Sequence, residues 1–475
     1  MIKWLFFDYR QFEAVEGFTR RLEPPRKHPE PLLVSDQPWE NNALGMYGSV
    51  VRRPDGGWQM WYTCGGWSAD GLKVACAESA DGVEWRRPEL DVHEWEGRPT
   101  NVVIPDRVFG TAVIRDEREG RPDWRYKLIC APDPHHRISA FRSPDGVHWK
   151  PAAENPVIGT NPDCPMCLMR DAEGRYVAYH RPCWGDRRVA RSESWDFVHW
   201  SEPKVVFEPD QDDPAQVQFY GMGSIPYGGY EIGTLWVYRT DRDDMCWSKG
   251  LGVLEAEFVH SRGGYAWHRT AQGKPWIALE EDEDDFGSGQ VHVATQPVLL
   301  EDEIRYYYAA GKTRHGEDRP VPGGPPQWAI RMASCKPDRF VSVACGDAGR
   351  ILTRPFWVET AEFFVNADIA PGGGLRAEVM DQENPWAKTA RQVPGFTMED
   401  SVPVTGDSCR HVLRWRGDPD HPALANREVR LRIEAKDAKV YSISAGSVEE
   451  AARYWDFRLP YFLPMALEKY DRPRQ

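Results

Sequence analysis

Three carboxylates occupy sequence positions that make them candidates for acid–base catalysis. They are Glu40, Asp163 and Asp285. Two carboxyl groups that face one bond can serve as general acid and as nucleophile or base. Each of the three also has a structural explanation. Glu40 could pair with an arginine, Asp163 could be a turn residue before a Cys-Pro dipeptide, and Asp285 lies in an acidic run that is typical of a solvated loop.

Arginines and histidines add further candidates. Arg181 and Arg239 follow predicted strands at equivalent places, and a guanidinium fork suits a carboxylate, a phosphate or vicinal hydroxyls. Structural ion pairs explain these arginines equally well. His135 and His136 are adjacent, so in an extended segment they point to opposite sides, which disfavours a shared metal. No second Cys-x-x-Cys completes a zinc site. We therefore expect no cofactor, although a structural calcium or sodium ion is compatible with carboxylates and carbonyls near the axis of the fold.

A repeated seven-residue phrase defines the elements that must position these residues. Residues 143–149 read SPDGVHW, residues 79–85 read SADGVEW and residues 194–200 read SWDFVHW. Residues 261–267 form a weaker copy, and residues 336–341 a degenerate fifth. Asp-Gly favours a tight turn because Gly adopts positive φ freely and Asp can bond the backbone ahead of it. We expect the closing aromatic to fill space against the next repeat.

A second feature recurs with the phrase: an aromatic-rich strand precedes each copy. These strands are predicted at residues 58–62, 126–129, 176–179, 230–236 and 304–308. Inner strands are predicted at residues 48–51, 111–114 and 166–169. Five repeats of four strands predict an all-β, five-bladed β-propeller. The alternative is a large β-sandwich in which the phrases recur by chance.

Alternation of apolar and polar residues continues after the repeats stop, which predicts half-buried antiparallel strands. We expect an N-terminal extension over residues 1–38, the propeller over 39–346, a β-sandwich over 350–460 and a tail over 461–475. The extension is rich in proline and should pack along the propeller rim.

Composition and charge limit the classes of partner and the cell compartment that we expect. A formal net charge of −14 argues against nucleic acid or an anionic membrane as partner. No apolar run approaches the ~20 residues of a membrane span, and the apolar start is too short for a signal peptide. Ten scattered cysteines, several of them within strands, suggest reduced thiols in a cytoplasmic protein. The sequence leaves open whether copies of the chain associate.

A propeller with such turns, followed by a sandwich, resembles the clan of glycoside hydrolase families 32, 68 and 43, and family 32 in layout. In that clan three acids at the starts of inner strands act as nucleophile or base, stabiliser and general acid. Asp163-Cys164-Pro165 corresponds to the Glu-Cys-Pro motif of the acid. The counterparts in blades one and two, near Met46 and Phe109, carry no acid, and Glu40 is the nearest upstream candidate. A fructan-cleaving role therefore does not carry over.

The resemblance implies that the active face lies where inner strands start and second strands end. Substrate-binding candidates there are Tyr47, Trp67, Asp106, His180, Arg181, Tyr220, Arg239, Trp247, His292 and His315. With Asp163 as acid and Glu40 or Asp285 as its partner, the expected function is hydrolysis of a small oligosaccharide or glycoside. The alternatives are a phosphorylase of similar fold, which would hold phosphate with Arg, Lys and His, and a non-catalytic carbohydrate-binding protein.

Overall fold

The computed structural model describes residues 2–66, 71–132, 137–159, 164–182, 187–241, 251–317, 324–358, 362–381, 390–417, 424 and 427–446. Nearly all of their regular secondary structure is β-strand, so the all-β prediction is confirmed. The chain divides into two compact units. The first comprises residues 1–24, 227–229 and 335–475, and the second residues 25–226 and 230–334. None of the described residues forms a helix long and apolar enough to cross a membrane.

The second unit contains successive antiparallel sheets whose strands follow one another along the chain. We number them as sheets 1 to 5. Sheet 1 has Leu44–Arg52, Trp58–Cys64, Lys73–Ser79 and Val102–Ile104, with Trp85–Arg86 at its side. Sheet 2 has Val108–Arg115, Tyr126–Pro132, Ser139–Ser143 and Lys150–Pro151. Sheet 3 has Pro165–Arg170, Tyr176–His180, Val189–Ser194 and Lys204–Phe207.

Sheets 4 and 5 are joined by a parallel pairing of Leu254 with Gln290. Sheet 4 has Val217–Tyr227, Tyr230–Thr240, Gly252–Ser261 and Trp267–Arg269. Sheet 5 has Gln290–Val293, Ile304–Gly311 and Trp328–Cys335, with Val298–Leu299 at its side. The unit also contains a hairpin of Leu90–Trp95 and Arg98–Thr100 and the 3₁₀ helices Pro38–Glu40 and Pro122–Trp124.

The proline-rich N-terminal segment supplies the outer edge of sheet 5. Arg26–Lys27 and Leu33–Val34 both pair antiparallel with Trp328–Cys335. Residues 1–24 belong to the first unit instead. The extension that we expected along a rim is thus divided between the two units, and its short strands complete sheets whose other strands lie far along the chain.

First strands of the five sheets contact one another in a closed cycle. The Ser49 hydroxyl of sheet 1 accepts a hydrogen bond from the Val113 amide of sheet 2 at 2.8 Å. Sheets 2 and 3 share a buried apolar cluster. The Cys167 thiol of sheet 3 donates to the Ser224 carbonyl of sheet 4, at 3.4 Å. The Ser224 amide donates to the Thr295 carbonyl just after the first strand of sheet 5, and the Thr295 amide donates to the Gly48 carbonyl of sheet 1, both at 2.9 Å.

The repeated phrase forms one turn, which we call the Asp-Gly turn. In residues 143–149 the Ser143 hydroxyl accepts from the Gly146 amide at 2.9 Å, and Asp145 Oδ1 accepts from the next two amides. The Trp149 indole donates back to the Gly146 carbonyl at 3.0 Å. Gly146 has φ +80°, and Phe197 takes the same conformation, at +75°, in the copy without glycine. The tryptophan that ends the phrase thus hydrogen-bonds within its own turn and lies half-buried.

Aromatic residues from the preceding sheet reach the same carbonyls. The Trp61 indole of sheet 1 donates to the Gly146 carbonyl of sheet 2 at 2.7 Å. The Tyr307 hydroxyl of sheet 5 donates to the Gly82 carbonyl of sheet 1 at 2.8 Å. Both lone pairs of each carbonyl are therefore used, one within the sheet and one between sheets. Trp61 is fully buried, so this second-strand aromatic fills the space between repeats.

The described strands of the first unit form mainly one ten-stranded sheet. Its two longest strands, Phe363–Asp381 and Arg427–Ala445, pair antiparallel along most of their length. The other members are Ile2–Leu5, Phe12–Glu16, Thr19–Leu22, Val341–Cys345, Gly349–Thr353, Phe356–Val358, Arg391–Gln392 and Gly406–Val412. Ser401–Val402 pairs with Arg414–Trp415, and Tyr9–Gln11 is a 3₁₀ helix. The predicted tail, 461–475, lies outside the described residues.

Candidate functional site

Aromatic side chains from several sheets gather at the edge of the second unit where first strands begin and second strands end. We call this set the aromatic cluster. It consists of Tyr47, Tyr220, Trp236, Tyr238, His292, His315 and Trp328. The His292 ring stacks on the Trp236 indole with centroids 5.1 Å apart and planes 10° apart. Tyr220 lies 5.9 Å from His292, and Tyr47 lies 5.3 Å from Trp236.

Small residues in the first strands make this packing possible. A Cβ on Gly221 would lie 2.6 Å from the Trp236 ring and 2.9 Å from Met166 Sδ. A Cβ on Gly48 would lie 1.9 Å from the Trp61 carbonyl oxygen. Gly221 therefore lets the indole lie flat against its neighbouring strand, and Gly48 lets the strand that carries Tyr47 approach its partner closely.

Three polar atoms at the centre of the cluster make no hydrogen bond with any described residue. They are Nδ1 and Nε2 of His292 and Nε1 of Trp236, all buried. His292 is 5% exposed, and burial, followed by the charges of His315 and Arg181, lowers its pKa to about 3. The imidazole is therefore neutral at neutral pH, with one nitrogen that donates and one that accepts. Buried polar groups normally have partners, so these atoms suit a polar ligand or ordered water.

Two guanidinium groups lie beside the same rings. Arg181 Cζ is 4.7 Å and Arg187 Cζ 4.9 Å from the centroid of Tyr220. Arg181 Nη2 donates to the Cys164 thiol at 2.8 Å, and its amide donates to the Cys164 carbonyl at 3.2 Å. The Tyr220 hydroxyl lies 3.2 Å from His315 Nε2. The cluster thus combines apolar ring faces with positively charged and neutral hydrogen-bonding groups.

Five of the residues predicted to bind substrate meet in this place. They are Tyr47, Arg181, Tyr220, His292 and His315. They come from sheets 1, 3, 4 and 5, from the beginnings of first strands or from loops that follow second strands. The expectation that the site lies where first strands begin and second strands end therefore identified residues that are up to 268 positions apart in the sequence (315−47).

Glu40 is committed to a buried network instead. Its Oε1 accepts from Arg87 Nε at 2.8 Å and from the Tyr62 hydroxyl at 2.9 Å, and its Oε2 accepts from Arg87 Nη2 at 2.9 Å. The Asn101 amide in turn donates to Tyr62. Burial raises the pKa of Glu40, and Arg87 opposes that shift. This is the ion-pair explanation considered for Glu40 from the sequence.

The other described candidates lie in different surroundings. Asp285 and Asp106 are exposed, and the amide of Asp285 donates to the Asp282 carbonyl in a turn. His180 is buried beside the Ser192 hydroxyl at 3.0 Å, and burial lowers its pKa to about 4. Arg239 donates to Glu255 at 3.2 Å and to Glu257 at 3.0 Å, as an ion-pair role requires.

Asp163, Trp67 and Trp247 lie outside the described residues. Within the described part, no Asp or Glu side chain hydrogen-bonds to Tyr47, Tyr220, Trp236 or His292. Nor do three His, Cys, Asp or Glu side chains in that part group so as to hold a metal ion.

Sequence reasoning missed Trp236, Tyr238, Trp328 and Arg187 as members of the site. Trp236 and Tyr238 are two residues apart in one strand and so face the same side. That alternation, applied to the end of the second strand, would have placed both beside Tyr220. Arg187 begins the return into a third strand, a position that carries no sequence signal of its own.

Comparisons with known proteins find structural similarity only. No family model matches the chain, and no curated protein matches it. A solved glycoside hydrolase is 14% identical, with a TM-score of 0.45 over 66% of this chain and 93% of that one. A thermostable family-43 glycoside hydrolase is 14% identical, with a TM-score of 0.43 over 66% and 92%.

A third similar structure comes from work on the GH130 family of mannoside phosphorylases, described as containing glycoside hydrolases that target β-1,2-mannosidic linkages in Candida mannan. It is 15% identical, with a TM-score of 0.42 over 68% of this chain and 95% of that one. At TM-scores below 0.5, these similarities carry no argument about the chemistry of this chain.

Proposed function

We propose that this chain is a carbohydrate-active enzyme that hydrolyses a small oligosaccharide or glycoside at the aromatic cluster. We further propose that sheets 1 to 5 are the blades of a five-bladed propeller, with the cluster at one end of its axis. The closed cycle of first strands supports the propeller. The local turn geometry, repeated from sheet to sheet, supports it as well.

The stacked His292–Trp236 pair carries this proposal. A sugar presents apolar C–H faces and hydroxyl edges, so it suits a site with ring faces and a few convergent polar groups. Here Tyr47 and Tyr220 supply ring faces, and the imidazole and indole nitrogens supply hydrogen-bonding atoms that no described residue uses. A buried polar atom without a partner is costly, so a ligand that bonds to these three atoms would gain stabilisation from each of them.

Asp163 is the proposed proton donor. It directly precedes Cys164, whose carbonyl and thiol both accept hydrogen bonds from Arg181 beside Tyr220. The second carboxyl group that hydrolysis requires would come from a loop after a second strand, where the sequence has Asp133, Asp243 and Asp244. Glu40 is disfavoured for this role because Arg87 and Tyr62 occupy its oxygens.

The substitution His292→Phe tests the site. It keeps an aromatic ring in the stack and removes both unbonded nitrogens, so thermal stability should be unchanged or higher. Sugar binding, measured by calorimetry with a panel of mono- and disaccharides, should weaken at least about tenfold, the loss of one or two hydrogen bonds. A destabilised variant that binds sugars normally would show that His292 is a structural residue.

The substitution Asp163→Asn tests the chemistry. Turnover of glycosides with poor leaving groups should fall by about 10²–10⁴-fold, and activated aryl glycosides should suffer less. Asp302→Asn, at an exposed position in the bend between Val298–Leu299 and Ile304–Gly311, is the control. Sugar binding without any turnover would favour the non-catalytic alternative, and turnover that requires phosphate would favour the phosphorylase.

A further inference from the structure

Arg187 has an unusual environment for a partly buried arginine. Its guanidinium lies 4.9 Å from the ring centroid of Tyr220 and 5.5 Å from that of Tyr238. Its Nη1 donates to the neutral amide oxygen of Gln218 at 2.8 Å. Its Nε is buried and makes no hydrogen bond within the described residues. Two rings and one amide leave most of the donors of this fork for something else.

Two other arginines of sheets 3 and 4 are paired with carboxylates. Arg191 donates to Glu193 at 2.8 Å and to Glu231 at 2.9 Å. Arg239 donates to Glu255 and Glu257. No Asp or Glu among the described residues pairs with Arg187, in a chain whose acids exceed its bases by 14. A bound anion would give these free donors charge-assisted hydrogen bonds, which are stronger than bonds to neutral partners.

We propose that Arg187 binds an oxyanion at the aromatic cluster, so that the ligand is either an acidic sugar with a carboxylate or a neutral sugar bound beside free phosphate. This inference rests on the proposed function, because it names the charge of what the cluster binds. A guanidinium fork matches the two oxygens of a carboxylate or phosphate. Arg181 brings a second positive charge to the same ring, and such fields favour anionic ligands.

Calorimetric titrations with defined probes test the inference. The probes are sodium D-glucuronate and D-galacturonate, their neutral parents D-glucose and D-galactose, and inorganic phosphate, each at low and high NaCl. We expect at least one oxyanion probe to bind about 10- to 100-fold more tightly than the neutral sugars, as one charge-assisted contact allows. High salt should reduce this advantage.

Arg187→Gln should abolish the advantage, and Arg187→Lys, which keeps the charge but not the fork, should retain part of it. Arg188→Gln is the matched control, because the neighbouring Arg188 donates to Glu208 at 2.5 Å on the surface. Thermal unfolding of all three variants checks that each is folded. If the Lys variant binds the oxyanion like the parent and the Gln variant does not, the result would still support the inference that a positive charge at this position binds the oxyanion.

The outcomes separate this inference from the proposed function. Uronate binding that is tighter than neutral-sugar binding identifies the ligand as an acidic sugar. Tight phosphate binding, with uronates binding no better than neutral sugars, identifies the oxyanion as free phosphate. Sugars that bind equally whether neutral or acidic, with no phosphate binding, would overturn the inference and leave the proposed function intact. Arg187-dependent phosphate binding without any sugar binding would support the inference and overturn the proposed function.

Discussion

Removing the same hydroxyl from two equivalent tyrosines should have unequal effects. Tyr307 and Tyr179 occupy the fourth position of the second strand in sheets 5 and 3, and each reaches the Asp-Gly turn of the next sheet. In Tyr307→Phe, the Gly82 carbonyl keeps its bond from the Trp85 indole at 3.1 Å. No buried group is orphaned, so the loss is one ordinary hydrogen bond, about 0.5–1.5 kcal/mol.

Tyr179 bonds to charged groups instead. Its hydroxyl donates to Glu231 Oε2 at 2.5 Å and accepts from Arg191 Nη1 at 2.6 Å. Glu231 is buried, and burial raises its pKa against the effect of Arg191 and this tyrosine. Hydrogen bonds to charged groups contribute about 1.5–3 kcal/mol each. Tyr179→Phe should therefore cost about 3 kcal/mol, at least twice the cost of Tyr307→Phe.

Thermal melts of the two variants, followed by far-UV circular dichroism, measure the difference. For a unit of about 300 residues, 1 kcal/mol corresponds to about 1.5 °C, so the midpoint should fall by about 1–2 °C for Tyr307→Phe and by about 4–5 °C for Tyr179→Phe. The chain context and the chemical change are matched, so each variant controls for the other. Equal shifts, or a larger shift for Tyr307→Phe, would refute this account of the two junctions.

Three further substitutions probe the fold. Gly146→Ala should destabilise by more than 1 kcal/mol in urea unfolding, because φ is +80° and the new Cβ would lie 2.5 Å from the Trp61 ring, whereas Gly120→Ala, with open space around it, should be nearly neutral. Lys127→Met should cost about 1.5–3 kcal/mol in the same assay, because buried Asp116 loses the ammonium at 3.0 Å but keeps the Arg170 guanidinium at 2.8 Å; a cost below about 0.5 kcal/mol would contradict this. His180 has its folded-state pKa lowered to about 4, so the unfolded chain takes up a proton near pH 6.5 before the folded chain does, and stability falls as the pH drops below 6.5. His180→Gln should flatten that fall by at most about 1.4 kcal/mol per pH unit, and equal slopes for parent and variant would contradict it.

Local turn chemistry made much of the second unit predictable. The Ser-x-Asp-Gly phrase encodes its own hydrogen bonds, so the turn and the strands beside it follow from a few residues. The edge strands Arg26–Lys27 and Leu33–Val34 could not be predicted, because two-residue strands between prolines carry no periodicity. Their position depends on partners some 300 residues later in the chain.

The site was predictable where strand ends decide it. Tyr47 and His292 follow from strand starts alone, whatever their neighbours. The ion pairs could not be predicted. The sequence spacing of Glu40 and Arg87, or of Arg239 and Glu257, does not indicate that they pair. The stacking of His292 on Trp236 likewise depends on Gly221 in the neighbouring strand, and a pattern within one segment cannot reveal that contact.

The pairing of Arg26–Lys27 with Ala333 and Ser334 has a consequence for the order of folding. Closing a loop of roughly 300 residues costs about 4 kcal/mol more chain entropy than closing a four-residue hairpin, by the logarithmic dependence on loop length. The hairpins of sheets 1 to 4 pay no such cost and can form first, so this seam should close late. It should also be the first part of the second unit to open transiently, and the amides of residues 26–34 and 328–334 should exchange with solvent ahead of those in the central strands.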